Sequence, residues 1–394
     1  MIPDWRELFN KWCTEDKYRL FLDDLKSMVG GTISFRPSET PVFLPRELID
    51  EMIDSSLAII SQLDTPHYFD LSTRSVPDNF KAPNEGSRPH FVQVDFALVK
   101  NVSGHIVPRL IELQGCASIY AFQYVLAQCF RKHYDLQDLR YLLGDIDENQ
   151  YVHLLKQTIL NDHSPELVVL MEIDPINQKT HPDFVATQKL TGVRMVCITD
   201  LIRQGRRLFY RHNGQLIPIQ RIYNRVIIDE LVEKQITPCF DFRDDLDVEW
   251  AGHPNWYFRW SKFSLPYLKH PTVPPTTFYD QFESLPSEPG RYVLKPLYSF
   301  AGTGVKVGPS REDLEAIPVE QRRNYILQER VNYAQLIETP NEPCQVEIRI
   351  MFLWPDNSTP IPVITLARLS RGLMMGVNFN QDQTWVGSSI AFFI

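Results

Sequence analysis

Glycine is scarce in this chain, at 17 of 394 residues, and cysteine is scarcer, at six. Cys13, Cys116, Cys129, Cys197, Cys239 and Cys344 form no C-x-x-C pair, and no histidine is read beside them at zinc-ligand spacing. They read as free thiols in a reducing compartment rather than as a disulfide framework. No apolar run approaches the ~18 residues that a membrane helix requires. The first residues, Met-Ile-Pro-Asp-Trp-Arg-Glu, put charge where a secretory leader needs an apolar core. The expectation is a cytoplasmic protein that engages no membrane. Positive charge is not in excess either: 40 Lys and Arg against 49 Asp and Glu leave a net charge of −9. A global basic footprint for nucleic acid is thereby excluded. Internal repeats and low-complexity tracts are absent as well.

What remains is ordinary globular composition, 43% hydrophobic and 23% charged. At about 150 residues per domain there is room for two to three domains. Residues 5–29 place Trp5, Leu8, Trp12, Leu20, Phe21 and Leu25 at roughly helical spacing and stop at Gly30-Gly31. Residues 46–62 predict a second helix. Residues 63–90, with Pro66, Pro77, Pro83 and Pro89, read as a long surface loop. Two strands follow, His90 to Val99 and Ile106 to Gln114, and then a helix from about Ala117 to His133. Strand and helix alternate over 165–232, the rhythm of a parallel sheet with helices on its faces. Within it, Ile217 to Tyr223 reads as a single strand. From Arg291 onward strands dominate. The fold class is α/β (α+β), divided at 1–90, 91–150, 151–240 and 241–394.

Because glycine is scarce, its one cluster is informative. Four of the 17 lie within residues 290–308, where uniform placement gives fewer than one. The stretch Arg291-Tyr-Val-Leu-Lys295-Pro-Leu-Tyr-Ser299-Phe-Ala301-Gly302-Thr-Gly304-Val-Lys306 predicts a strand delivering a lysine, a small-residue turn and a returning strand. Such a hairpin can lay backbone N–H groups against phosphates. It is neither a Walker A loop nor a dinucleotide fingerprint, since the glycines fit neither spacing. A second stretch, Asn324-Tyr-Ile-Leu-Gln328-Glu329-Arg-Val331, is a strand whose polar end can face an adenine edge. A third pairs Val94-Asp95 with Arg109-Leu-Ile-Glu112-Leu-Gln114. Residues i and i+2 of a strand share a face, so Glu112 and Gln114 project together, and Asp95 can join them from a paired strand. Carboxylate and amide oxygens are the donors Mg²⁺ prefers. In Val346-Glu347-Ile-Arg349 the same alternation puts Glu347, a reserve metal ligand, beside Arg349. Each stretch also has a plainer reading: a glycine-tipped hairpin, a strand end, a solvated strand face. His90 and His105 flank the metal strands and read as structural.

In this order, the stretches resemble the circularly permuted ATP-grasp family, typified by glutathionylspermidine synthase and eukaryotic glutathione synthetase. The likeness runs over about residues 90–390. It implies a central parallel-sheet substrate domain and a C-terminal ATP lid. It implies Mg²⁺ on Asp95, Glu112 and Gln114. ATP would be held by Lys262, Lys295, Ser299, Ala301, Gly302, Gly304, Gln328, Glu329 and Val331. The candidates for stabilising the transferred phosphoryl group are Arg225, Arg349 and Arg368. Two positions depart from the family's pattern: Gln114 stands where it has asparagine, and Gln93 where glutathionylspermidine synthase has arginine. The implied activity is a carboxylate–amine ligase, making an amide through an acyl phosphate from small-molecule acid and amine substrates. The alternatives are an ATP-binding pseudoenzyme or regulatory module on the same fold, and a phosphotransferase acting on a hydroxyl. The acid, the amine and the oligomeric state are not readable.

Overall fold

The computed structural model describes residues 1–298, 302–376 and 382–394. The expected strands form, and their pairing organises the molecule. The largest sheet is antiparallel, with strands in the order Gly387–Ser389, Ile361–Ser370, Gln345–Leu353, Phe91–Lys100 and Ile106–Gln114. Its middle strand, Gln345–Leu353, is buried along its whole length. On one side of that strand Val346, Ile348, Ile350 and Phe352 pack with Leu48, Ile49, Met52 and Ile59 of the helix Arg46–Leu63. The alternate residues Gln345, Glu347 and Arg349 point the other way, so this part of that face is polar and still buried, before it turns apolar at Met351 and Leu353.

A second sheet is parallel throughout, in the order Glu249–Ala251, Arg221–Asn224, Val168–Glu172 and Arg194–Cys197. It is the sheet expected from the strand–helix rhythm, with the helix His181–Thr191 ending at Gly192 in the left-handed conformation. The third sheet is antiparallel: Thr276–Phe278, Tyr325–Glu329, Tyr292–Pro296 and Lys306–Val307. It contains the glycine hairpin. A small meander, Ile202–Gln204, Arg207–His212 and Gln215–Ile219, forms a sheet of its own, with Leu208, Tyr210 and Ile219 packed in one core with Val169 and Ile222 of the parallel sheet.

Three local expectations are corrected. The helix over 5–29 is two helices, Pro3–Trp12 and Glu15–Met28, because Thr14 accepts a hydrogen bond from the Lys17 amide and caps a fresh start. The loop over 63–90 contains the helix Pro66–Ser72, with Thr65 as cap and Pro66 in its first turn, where a proline costs no hydrogen bond. Arg259 clamps that helix: its guanidinium donates to the Phe69 carbonyl and to Ser72 Oγ at 2.9 Å, and pairs with Glu85. The strand expected over 217–223 is two strands in different sheets, broken at Gln220, whose amide donates to the Leu167 carbonyl at 2.8 Å. Among the described residues no helix is long and apolar enough to cross a membrane.

Candidate active site

The register of the large sheet decides which polar side chains meet. Asp95 lies opposite Arg349 on one side and opposite Glu112 on the other; Gln93 lies opposite Gln114, and Glu347 opposite Arg368. Directly opposed residues of a ladder project from the same face. Asp95 accepts from Arg349 Nε at 2.6 Å and Nη2 at 2.7 Å, a two-pronged fork, and from Arg368 Nη2 at 2.6 Å. Arg368 also pairs with Glu347, which accepts from the Tyr333 hydroxyl at 2.6 Å. Burial pushes the Asp95 carboxyl up, but the two guanidinium groups outweigh it and hold the group below the usual carboxylate range. In Glu347 burial wins, and the carboxyl is raised.

Two lysines approach from other elements. Lys295, on Tyr292–Pro296, donates from Nζ to the Ile111 carbonyl at 2.8 Å. Lys262 opens the 3₁₀ turn Lys262–Tyr267 and puts Nζ 3.6 Å from Glu112 Oε1. Burial lowers the Lys295 ammonium to about 8, against the pull of Glu112. Burial raises the Glu112 carboxyl, but Lys262 and Lys295 together bring it below its ordinary value. The Glu112 side chain keeps 23% exposure against 3% for Asp95, so Glu112 is the carboxylate a ligand can reach.

The connection from Ile106–Gln114 to the helix Tyr120–His133 borders this cluster. Gly115 donates its amide to the Trp260 carbonyl at 2.7 Å, and a Cβ there would lie 2.6 Å from Trp260 Cβ, so only glycine passes. Ser118 follows. Its hydroxyl accepts from Arg349 Nη1 at 3.1 Å, and its carbonyl accepts from Arg225 Nη1 at 2.9 Å. Arg225 is further tied to Asp183. Gln93 donates from Nε2 to the Cys116 carbonyl at 2.7 Å and to the Tyr120 hydroxyl at 2.8 Å. Gln328 Nε2 is buried with no hydrogen-bond partner among the described residues.

No protein-family model and no curated protein matches the sequence. Among solved structures, the fold is similar to that of a glutathione synthetase-like effector, GSS30, from Globodera pallida in its apo form. The two superpose with a TM-score of 0.59 over 97% of this chain and 100% of that one, at 12% identity. This chain has a glutathione synthetase-like fold.

The glutathione synthetase-like fold collects residues that lie far apart in the chain. Asp95, Glu112, Gln114, Lys262, Lys295, Arg349 and Arg368 stand on or against one sheet face. Among the described residues, Arg225 is linked to that face through Ser118. Gln328 and Glu329 lie on the strand paired with that of Lys295, opposite Val293 and Tyr292, and Val331 follows two residues past its end. Gly302 and Gly304 have φ of +79° and +72°, the left-handed region that favours glycine. Ser299 and Ala301 lie outside the described residues. Ser118, Tyr333 and the Ile111 carbonyl escaped the sequence reading. The small-residue run Gly115-Cys-Ala-Ser118 between a strand and a helix was the one available signal for Ser118. As oxygen donors, Glu112 and Gln114 suit a hard cation, whereas both Asp95 oxygens already accept from guanidinium groups.

Proposed function

We propose that this chain is an ATP-dependent carboxylate–amine ligase with a site of the circularly permuted ATP-grasp kind. The observation that carries the proposal is the meeting of Glu112, Lys262 and Lys295 beside the Asp95–Arg349–Arg368 cluster, next to a glycine-turn hairpin. The glutathione synthetase-like fold supports it. Lys262 and Lys295 hold the α- and β-phosphates, and the turn at Gly302 and Gly304 closes over them as a lid. Gln328, with its spare buried donor, and Glu329 and Val331 face the adenine. The γ-phosphoryl group passes to a substrate carboxylate, releasing ADP. An amine nitrogen then attacks the acyl carbon, giving the amide, phosphate and a proton. Arg349 and Arg368 are placed to stabilise the transferred phosphoryl group, because a planar fork matches its oxygens. Asp95 orients both forks. Arg225 orders the Ser118 turn. Glu112 and Gln114 would hold Mg²⁺, whose bound charge neutralises phosphate oxygens.

The test is phosphate release from Mg²⁺-ATP across pairs of amino acids, peptides and polyamines, with the amide product identified by mass. Release that no pair raises above ATP alone would sink the ligase reading. A second reading, a nucleotide-binding regulatory module, is favoured by the double engagement of Asp95 and by glutamine at position 114. Calorimetric ATP binding without turnover would select it.

A further inference from the structure

Away from this cluster, the helices Glu15–Met28 and Tyr120–His133 pack together, with the rings of Phe21 and Phe130 4.5 Å apart. At the same contact Asp24 from one helix meets Cys129 and His133 from the other. Cys129 and His133 are four residues apart on one helical face, a spacing that the reading of the cysteines passed over. One donor atom from each of the three residues lies within 4.8 Å of the other two. His133 Nε2 is 3.0 Å from Asp24 Oδ2. Tetrahedral zinc, with bonds of about 2.0–2.3 Å, keeps its ligand atoms roughly 3.2–3.8 Å apart, so small side-chain rotations complete the set.

The geometry points to a zinc-type divalent metal site formed by Asp24, Cys129 and His133, with a fourth position left for water. A thiolate with an imidazole and a carboxylate is a donor set that suits zinc and cobalt and does not suit Mg²⁺ or Ca²⁺. Three other groups bear on it. Lys132 Nζ lies 2.7 Å from Asp24 Oδ2, but its side chain is 63% exposed and can turn out to water. The Cys129 thiol donates to the Phe21 carbonyl at 3.5 Å, and the Phe21 ring meets His133 edge-on. A metal bound to sulfur supplies the charge that a buried thiolate otherwise lacks. The ion ties the N-terminal helix pair to the body of the fold, independently of the proposed ligase site.

The experiment is a Co²⁺ titration of the full-length, chelator-treated protein, followed by Zn²⁺ displacement. The expected result is one Co²⁺ per chain, with a cobalt–thiolate charge-transfer band that Zn²⁺ removes. Cys129→Ala and His133→Gln should each lose the band. His133 lies at the rim of the contact, so its variant should keep the fold, checked by far-ultraviolet circular dichroism. Zinc at a hundredfold excess over its dissociation constant should raise the folding constant about a hundredfold in the wild type and in neither variant. A wild-type protein without the band, or a Cys129→Ala variant that keeps it, would overturn the site.

Discussion

Lys295→Met separates what Lys295 does for a ligand from what it does for the fold. Lys295 is buried, and its ammonium titrates at about 8 in the folded chain against 10.5 ordinarily. At 1.36 kcal/mol per pH unit, keeping it charged at neutral pH costs about 3 kcal/mol. Methionine has nearly the same length and no charge, so that cost disappears. The Ile111 carbonyl loses its donor, which costs about 1–3 kcal/mol in a buried site. The variant should therefore be more stable by about 1 kcal/mol at neutral pH. The pH dependence has a definite sign. The unfolded chain binds more protons than the folded one between about pH 8 and 10.5, so wild-type stability rises with pH across that window, and the variant lacks this rise. The same substitution should weaken ATP binding at least tenfold, about 1.4 kcal/mol, because a phosphate loses its cation. The wild type should take up a proton on binding ATP near pH 8–9, since phosphate oxygens raise the ammonium again. Urea midpoints near pH 7 and pH 9.5, with calorimetry in buffers of different ionisation enthalpy, read all of these. A variant that loses more than about 1 kcal/mol and keeps its ATP affinity refutes the reasoning.

Other substitutions probe the neighbours of Lys295. Asp95→Asn leaves the buried Arg349 and the partly buried Arg368 without their shared anion and should cost about 3–5 kcal/mol in denaturant titrations; a loss under about 1 kcal/mol would refute the anchoring role of Asp95. Glu112→Ala should abolish Mg²⁺-dependent ATP turnover, whereas Gln114→Asn should keep or raise it; equal rates in the wild type and Glu112→Ala would place the metal elsewhere. Glu172 closes the strand Val168–Glu172, and burial raises its carboxyl to about 8 from 4.5. The folded chain then binds more protons than the unfolded one between those values, so wild-type stability falls as pH rises through the window. Glu172→Gln should remove that fall, read from unfolding midpoints at about pH 5 and pH 8.5.

Local chemistry was open to the sequence because it depends on near neighbours. Alternation on Ile106–Gln114 places Glu112 with Gln114, and alternation on Gln345–Leu353 places Glu347 with Arg349, whatever those strands pair with. Glycine scarcity singled out the hairpin turn, where Gly302 and Gly304 take the left-handed conformation. Composition indicated a globular chain, and the strand–helix rhythm over 165–232 an α/β one. The errors were also local, at Thr14, Pro66 and Gln220, where a single residue can either end an element or begin one.

Which strands pair was decided only in three dimensions. Arg349 lies 254 positions after Asp95, and no periodicity spans that distance. Their meeting depends on a register held by hydrogen bonds between distant strands and by the burial of Ile348 and Ile350 on the opposite face, since a one-residue slip would turn the polar row into the core. The same register converts Asp95 from an isolated oxygen donor into the anion between two arginines, and packing against other elements brings Lys262 to Glu112 and Cys129 to Asp24. Residue type and local spacing set the chemistry each side chain can offer; non-local pairing, which the chain order does not encode periodically, set its partners.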